Sequence, residues 1–194
     1  MGIDPSIEML RVARKKQLQG GVIQGYAETL PWRSGVIDRL FCINAFHHFV
    51  DKAEFIREAR RVIQPGGGIL IIGLDPHTRL DRWWIYEYFP QVIEIDKKRY
   101  PSTPAIRELL ASTGFINCNT DEVLHWPIEL DAHLALASGR LAKTTTSQLT
   151  VLTDDEYHFG INKLTEDIKA AETKGKVHLI SADLRLFATT GWRR

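Results

Sequence analysis

The sequence predicts an α/β fold on a mostly parallel sheet, and three observations carry that reading. Strand-like and helix-like segments alternate through the first 75 residues. The run Leu40-Phe41-Cys42-Ile43 is continuously apolar, as suits a strand of a parallel sheet covered on both faces. Asp4 closes an apolar strand end directly ahead of a helix, the place where open α/β sheets meet their ligands.

Each element has a local signature. Ser6 can N-cap a helix that puts Ile7, Leu10 and Ala13 on one face, with Gln19-Gly20-Gly21 as its stop. A strand follows at Val22-Ile23-Gln24-Gly25, and the next, Val36 to Asn44, reads as a central strand. Asp51 with Glu54 makes a capping box for a helix presenting Phe55, Ile56, Ala59 and Val62. Gln64-Pro65-Gly66-Gly67-Gly68 then predicts a turn into the buried strand Ile69-Leu70-Ile71-Ile72, which ends near Asp75. Strand, helix, strand with short turns is the right-handed crossover unit.

The second half changes character. Trp83, Trp84, Tyr86, Tyr88 and Phe89 crowd one helical stretch, and Thr103-Pro104 opens another helix that stops at Gly114. Phe115 to Trp126 predicts a strand that pairs with Ala182 to Ala188, where Leu184, Leu186 and Ala188 alternate with Asp183, Arg185 and Phe187. A helical insert lies between them. Its longest helix starts on a Thr153/Glu156 capping box and carries Tyr157, Ile161, Leu164, Ile168 and Ala171 on one stripe.

Composition excludes several classes. At 194 residues, one domain is expected, with a first part at 1–75 and a second at 76–194. A hydrophobic fraction of 44% and a charged fraction of 25% are those of a globular protein, and a net charge of +1 gives no general attraction to nucleic acid. No apolar run approaches the roughly 18 residues of a membrane span. Cys42 and Cys118 lack zinc or disulfide-framework spacing, which points to a reducing cytoplasm. His125, His133 and His158 have acidic neighbours but not the spacing of a zinc motif, so no metal is expected. Arg57, Glu58, Arg60 and Arg61 read as the solvated face of their helix. Oligomeric state is not legible.

Four segments in order carry a resemblance: Gly2-Ile3-Asp4-Pro5-Ser6 with Met9-Leu10, then Gly25-Tyr26-Ala27-Glu28-Thr29-Leu30-Pro31, then Phe41-Cys42-Ile43-Asn44-Ala45-Phe46-His47-His48-Phe49, then Arg61-Val62-Ile63-Gln64-Pro65-Gly66-Gly67. Their order and spacing resemble the class I methyltransferases that use S-adenosylmethionine, in particular the small-molecule type called type 11. The resemblance implies a Rossmann-like sheet with a helical insert and a C-terminal antiparallel strand. The family's first strand and Gly-rich loop have no counterpart, since neither Gly-x-Gly-x-Gly nor Gly-x-Gly-x-x-Gly occurs. An N-terminally truncated sheet is therefore expected, with a gap between the strand ending at Asp4 and the strand Leu40 to Ile43.

What the resemblance implies for the site follows residue by residue. Asp4 looks like the ribose-binding acid, and Ile3, Pro5 and Met9 are similar to the apolar residues around the adenine. Ala27 and Glu28 fall where the family contacts the adenine edge, while Tyr26 stands where an aspartate is common. Asn44, Ala45 and Phe46 fall where the methionine part lies. The acceptor would be a small molecule, with Trp83, Trp84 and Tyr86 as its binding residues and the insert as part of a lid, although the cluster from Trp83 to Phe89 reads more readily as a helix packed on the sheet. Methyl transfer from a sulfonium mainly needs donor and acceptor held in line, so a base matters only where the acceptor must lose a proton. His47 is the candidate, with His48 beside it. Two other classes stay open: a non-catalytic binding or scaffold remnant, and a nicotinamide-dependent oxidoreductase, because a carboxylate at this strand end also suits the ribose of NAD.

Overall fold

The first parallel pair forms where the sequence places it. β1 (Gly2–Asp4) and β2 (Val22–Gln24) align Ile3 with Ile23 and Asp4 with Gln24. Between them runs α1 (Ile7–Lys15), capped by Ser6, whose side chain accepts the Met9 N–H, and anchored by buried Leu10. The structure is a computed structural model that describes residues 1–16 and 20–194. Gln19, part of the expected helix stop, lies outside the described residues; Gly20 and Gly21 follow with φ of +102° and +72°.

The second crossover is β3 (Ile37–Ile43), α2 (Lys52–Val62) and β4 (Ile63–Gly73), with β3 and β4 parallel. Asp51 caps α2 by accepting the Glu54 N–H, and the predicted Phe55, Ile56, Ala59 and Val62 are its buried face. The expected turn at Gln64 to Gly68 is instead an irregularity inside β4: Ile37 pairs with Ile63, and two residues later Arg39 pairs with Gly68. Glycine makes this possible. Gly66 has φ of +79°, and a Cβ on Gly67 would come within 2.8 Å of the Asp38 carbonyl oxygen.

The remaining elements are β5 (Arg82–Trp83), α3 (Trp84–Tyr88), α4 (Gln91–Arg99), α5 (Thr103–Ser112), β6 (Phe115–Trp126), β7 (Glu129–Asp131), α6 (Ala132–Ala137), α7 (Ser147–Thr150), α8 (Asp154–Glu172) and β8 (Leu179–Arg193). The strand order is β1-β2 in one sheet and β3-β4-β8-β5 in the other, with β6 and β7 also on β8. β5 and β7 run antiparallel to β8, the antiparallel C-terminal strand that the sequence predicts. β3 is not the central strand expected of it. Among the described residues it ends its sheet, unpaired with β1, and Phe41 and Ile43 are 63% and 56% exposed.

Two compact units result. The first comprises Met1–Gly73, Thr103–Asp121 and Ala188–Arg194. Its core joins Cys42, Phe46, Phe55, Ile56, Val62, Ile69, Ile71, Leu110 and Phe115. The second comprises Leu74–Ser102 and Glu122–Phe187, with Trp84, Ile85, Tyr88, Phe89, Leu149, Leu164 and Ile168 in its core. The Thr153/Glu156 capping box is present in full, and the α8 stripe buries Leu164 and Ile168 as its spacing predicts, with Gly160 also buried on it.

Candidate functional site

Asp4 occupies the carboxyl end of β1, where its Oδ1 accepts the Ser6 N–H at 2.8 Å; this holds the carboxylate at the helix start and leaves Oδ2 with no recorded donor among the described residues. Gly25 N–H donates to the Asp4 carbonyl at 3.3 Å, and Gln24 Nε2 donates to the Pro5 carbonyl at 3.1 Å. These bonds bring the Gly25–Glu28 loop against Asp4. Gly25 is required there, because a Cβ would stand 2.9 Å from Ile3 Cδ1.

The loop is also tied to the far side of the site. Glu28 Oε1 accepts the Val50 N–H at 2.9 Å and the Asp51 N–H at 3.4 Å, linking the segment after β2 to the segment after β3. From α2, Glu58 accepts the Leu30 N–H at 2.8 Å while Arg61 donates to the carbonyls of Leu30 and Trp32 at 2.9 and 2.7 Å. The Arg61 guanidinium holds the Glu58 carboxyl below its usual range. Glu58 and Arg61 are thus not merely part of a solvated face, as the charge run suggests; they clamp a loop roughly thirty residues away in sequence.

These segments enclose a cavity of 790 Å³ within the first unit. Ile3, Asp4, Pro5, Tyr26, Ala27, Glu28 and Ala45 line it, as do Leu30, Trp32 and Arg39, which the sequence reading did not place in the site. Three expected members are elsewhere. Met9 lies exposed on α1 and Asn44 is exposed at a left-handed φ of +49°, its N–H on the Ile72 carbonyl. Phe46 belongs to the hydrophobic core, 4% exposed, with its ring edge-on to Phe49. In the short 3-10 segment Phe46–His48, it is His48 that lines the cavity rather than His47, and their rings lie 3.9 Å apart. Burial pushes the Cys42 thiol up to about 12, so it stays protonated and unreactive.

In the second unit, Trp84 is 4% exposed and Trp83 packs partly buried on the same core. Tyr86 donates its hydroxyl to buried Asp96 at 2.9 Å, and Asp96 pairs with Arg99 at 2.6 Å; burial then raises the Tyr86 phenol. Tyr86 also borders a second cavity, of 270 Å³, with Pro76, Arg79, Asp81 and Ile93. Burial pushes the Asp81 carboxyl up to about 6, although it accepts the Arg185 N–H at 2.7 Å. His125 pairs with Asp183 and His133 with Glu172, and no group of three possible metal ligands occurs among the described residues.

The first cavity fits the nucleoside half of S-adenosylmethionine: an oriented carboxylate for a ribose diol, with Ile3, Pro5 and Ala27 as apolar walls. For the amino-acid half, the described residues offer the end of β3 and Ala45 but no glycine-rich turn after a strand.

The fold is a Rossmann-like α/β sheet similar to that of class I methyltransferases. Residues 1–71 match the family model of the type 11 methyltransferase domain. The demethylmenaquinone methyltransferase of Thermotoga maritima is 33% identical over 89 residues, covering 45% of this chain and 39% of that relative, so the match spans well under half of the relative's length. Among solved structures, a protein of Anabaena variabilis described as a candidate methyltransferase of antibiotic biosynthesis superposes with a TM-score of 0.68 at 25% identity, over 96% of this chain and 79% of that one. Phosphoethanolamine N-methyltransferase 2 of Haemonchus contortus, in complex with S-adenosyl-L-methionine, shares the fold at a TM-score of 0.54 and 16% identity, over 99% of this chain and 42% of that one.

Proposed function

We propose that the protein binds S-adenosylmethionine at the carboxyl ends of β1 and β3 and transfers its methyl group to a small, largely apolar or aromatic acceptor. The observation that supports this most is Asp4, whose carboxylate is oriented by the Ser6 amide at the mouth of the first cavity. S-adenosylmethionine supplies an activated methyl on a sulfonium. Asp4 binds the ribose hydroxyls, while Ile3, Pro5 and Ala27 enclose the adenine and exclude water from it. Glu28 acts through the Val50 and Asp51 amides, fixing the loop rather than meeting the ligand with its carboxylate. Ala45 borders the methionine end, and His48, whose side chain lines the same cavity, takes a proton where the acceptor must lose one. An apolar acceptor agrees with the near-zero net charge and with the quinone-related acceptor in the name of the Thermotoga maritima relative. Within the second unit, Tyr86 borders a separate cavity beside Asp81, while Trp83 and Trp84 pack in the core. No helix among the described residues is long and apolar enough to cross a membrane.

Calorimetric titration with S-adenosylhomocysteine tests the assignment. Asp4→Ala weakens binding by about 1.5–3 kcal/mol, roughly ten- to a hundredfold, because hydrogen bonds to a carboxylate are charge-assisted. Asp4→Asn falls between, having one acceptor oxygen in place of two. Wild-type affinity in both variants would remove the ribose role.

A further inference from the structure

The cavity of the second unit has no part in the nucleoside site. It measures 270 Å³, at the lower end of the range for small-molecule sites, and lies between the segment after β4, which supplies Pro76, Arg79 and Asp81, and the helices α3 and α4, which supply Tyr86 and Ile93. Its aromatic wall is fixed. The Tyr86 hydroxyl is committed to buried Asp96, and the ring stands edge-on to Trp83 with centroids 5.6 Å apart. What Tyr86 offers the cavity is therefore its ring, beside the apolar Pro76 and Ile93.

Two charges of opposite sign border the same space. Asp81 Oδ1 accepts the Arg185 N–H at 2.7 Å, and its Oδ2 has no recorded donor among the described residues. Burial, with Asp183 and Asp75 nearby, pushes this carboxyl up to about 6 despite the Arg185 amide and guanidinium, so the ionised form is short of a positive partner. A bound cation would supply one. Arg79 is exposed, and no hydrogen bond or ion pair of its guanidinium is recorded among the described residues, although Glu94 lies close enough to feel its charge. Its φ is +54°, so this turn carries an arginine where glycine or asparagine is the ordinary choice.

These features discriminate among ligands. A metal ion is disfavoured, because no group of three possible ligands occurs among the described residues. An inorganic anion would meet the Asp81 carboxylate as well as Arg79, and a neutral apolar molecule would bury that carboxylate further without pairing it. A zwitterion satisfies both charges. We infer that the cavity is a binding site for a small apolar α-amino acid, with its ammonium on Asp81, its carboxylate on Arg79 and its side chain against Pro76, Tyr86 and Ile93. The planar guanidinium matches a carboxylate with two parallel N–H donors, which a lysine at the same place would not. Every residue of the site belongs to the second unit, so the inference stands or falls apart from methyl transfer.

The probe is L-leucine, titrated into the full chain with no cofactor added and followed by two-dimensional amide NMR. Isoamylamine, which lacks the carboxylate, and isocaproate, which lacks the ammonium, are the controls. L-Leucine gives shifts at Arg79–Trp83, Tyr86 and Ile93 that saturate below about 10 mM, and each control binds at least about tenfold more weakly. Asp81→Asn keeps an oxygen for the Arg185 amide and weakens L-leucine by at least about tenfold. Arg79→Gln, at an exposed position, weakens L-leucine by at least about tenfold and leaves isoamylamine unchanged. The two controls keep the test on the unaltered chain whatever the variants do to folding. No saturable shift from L-leucine, equal affinity for either control, or shifts confined to Ile3–Ser6 and Gly25–Glu28 would overturn the site, as would unchanged L-leucine affinity in folded Asp81→Asn.

Discussion

Asp81 shows how one half-buried carboxyl couples the second unit to pH. Its burial outweighs the Arg185 N–H that it accepts, and Asp183 and Asp75 add like-charge repulsion, so its folded pKa rises to about 6. Between the ordinary carboxylate range and that value, the folded chain keeps a proton that the unfolded chain has released, and stability falls as pH rises. Asp81→Asn removes this loss while keeping an oxygen for Arg185. Discounted for the partial exposure of the group, the gain in Tm is about 2–4 °C above about pH 7, and it closes near pH 4. Thermal melts across that range check it, and an unchanged or lower Tm at pH 7 would mean that the carboxylate is adequately solvated or paired. Single residues differed in how readable they were. Asp4 was legible because its neighbours form a strand end and a helix cap in sequence. Glu58 and Arg61 were not, because their partners are the backbone of Leu30 and Trp32, which no charge pattern on α2 reveals. Phe46 misled because adjacent residues on a tight 3-10 segment point in different directions, one into the core and another toward the cavity.

Element boundaries followed local chemistry closely where caps were present. Ser6, Asp51 and Thr153 each accept the backbone N–H three residues on, as their spacing predicts. Packing across elements was less visible, and Gly160 is the sharpest case. On α8 it reads as a weak point, since alanine is favoured in a helix by about 1 kcal/mol. A Cβ there would collide with the ring of Phe89, which is 1% exposed and cannot withdraw. Gly160→Ala therefore destabilises by about 1–3 kcal/mol net in urea unfolding, and Phe89→Leu in the same chain recovers much of that. A stabilised Gly160→Ala variant would show that propensity outweighs the collision. The exposed edge of β3 was hidden for a different reason. A continuous apolar run specifies a strand with two covered faces, but a run alone does not supply its neighbour.

At the scale of the whole molecule, the order of strands and helices was legible from apolar runs and turns. The chain leaves the first unit after β4 and returns to it at Thr103–Asp121 and Ala188–Arg194, a course set by long-range pairing on β8 rather than by any composition shift. The central claim is that the first unit holds a nucleoside-binding site at the carboxyl ends of β1 and β3. Two-dimensional amide NMR during titration with S-adenosylhomocysteine tests it most directly. The account predicts shifts concentrated at Ile3 to Ser6, Gly25 to Glu28 and Ile43 to Val50. Saturating shifts that avoid Asp4 and the Gly25–Glu28 loop, or no saturable shift at all, would contradict it.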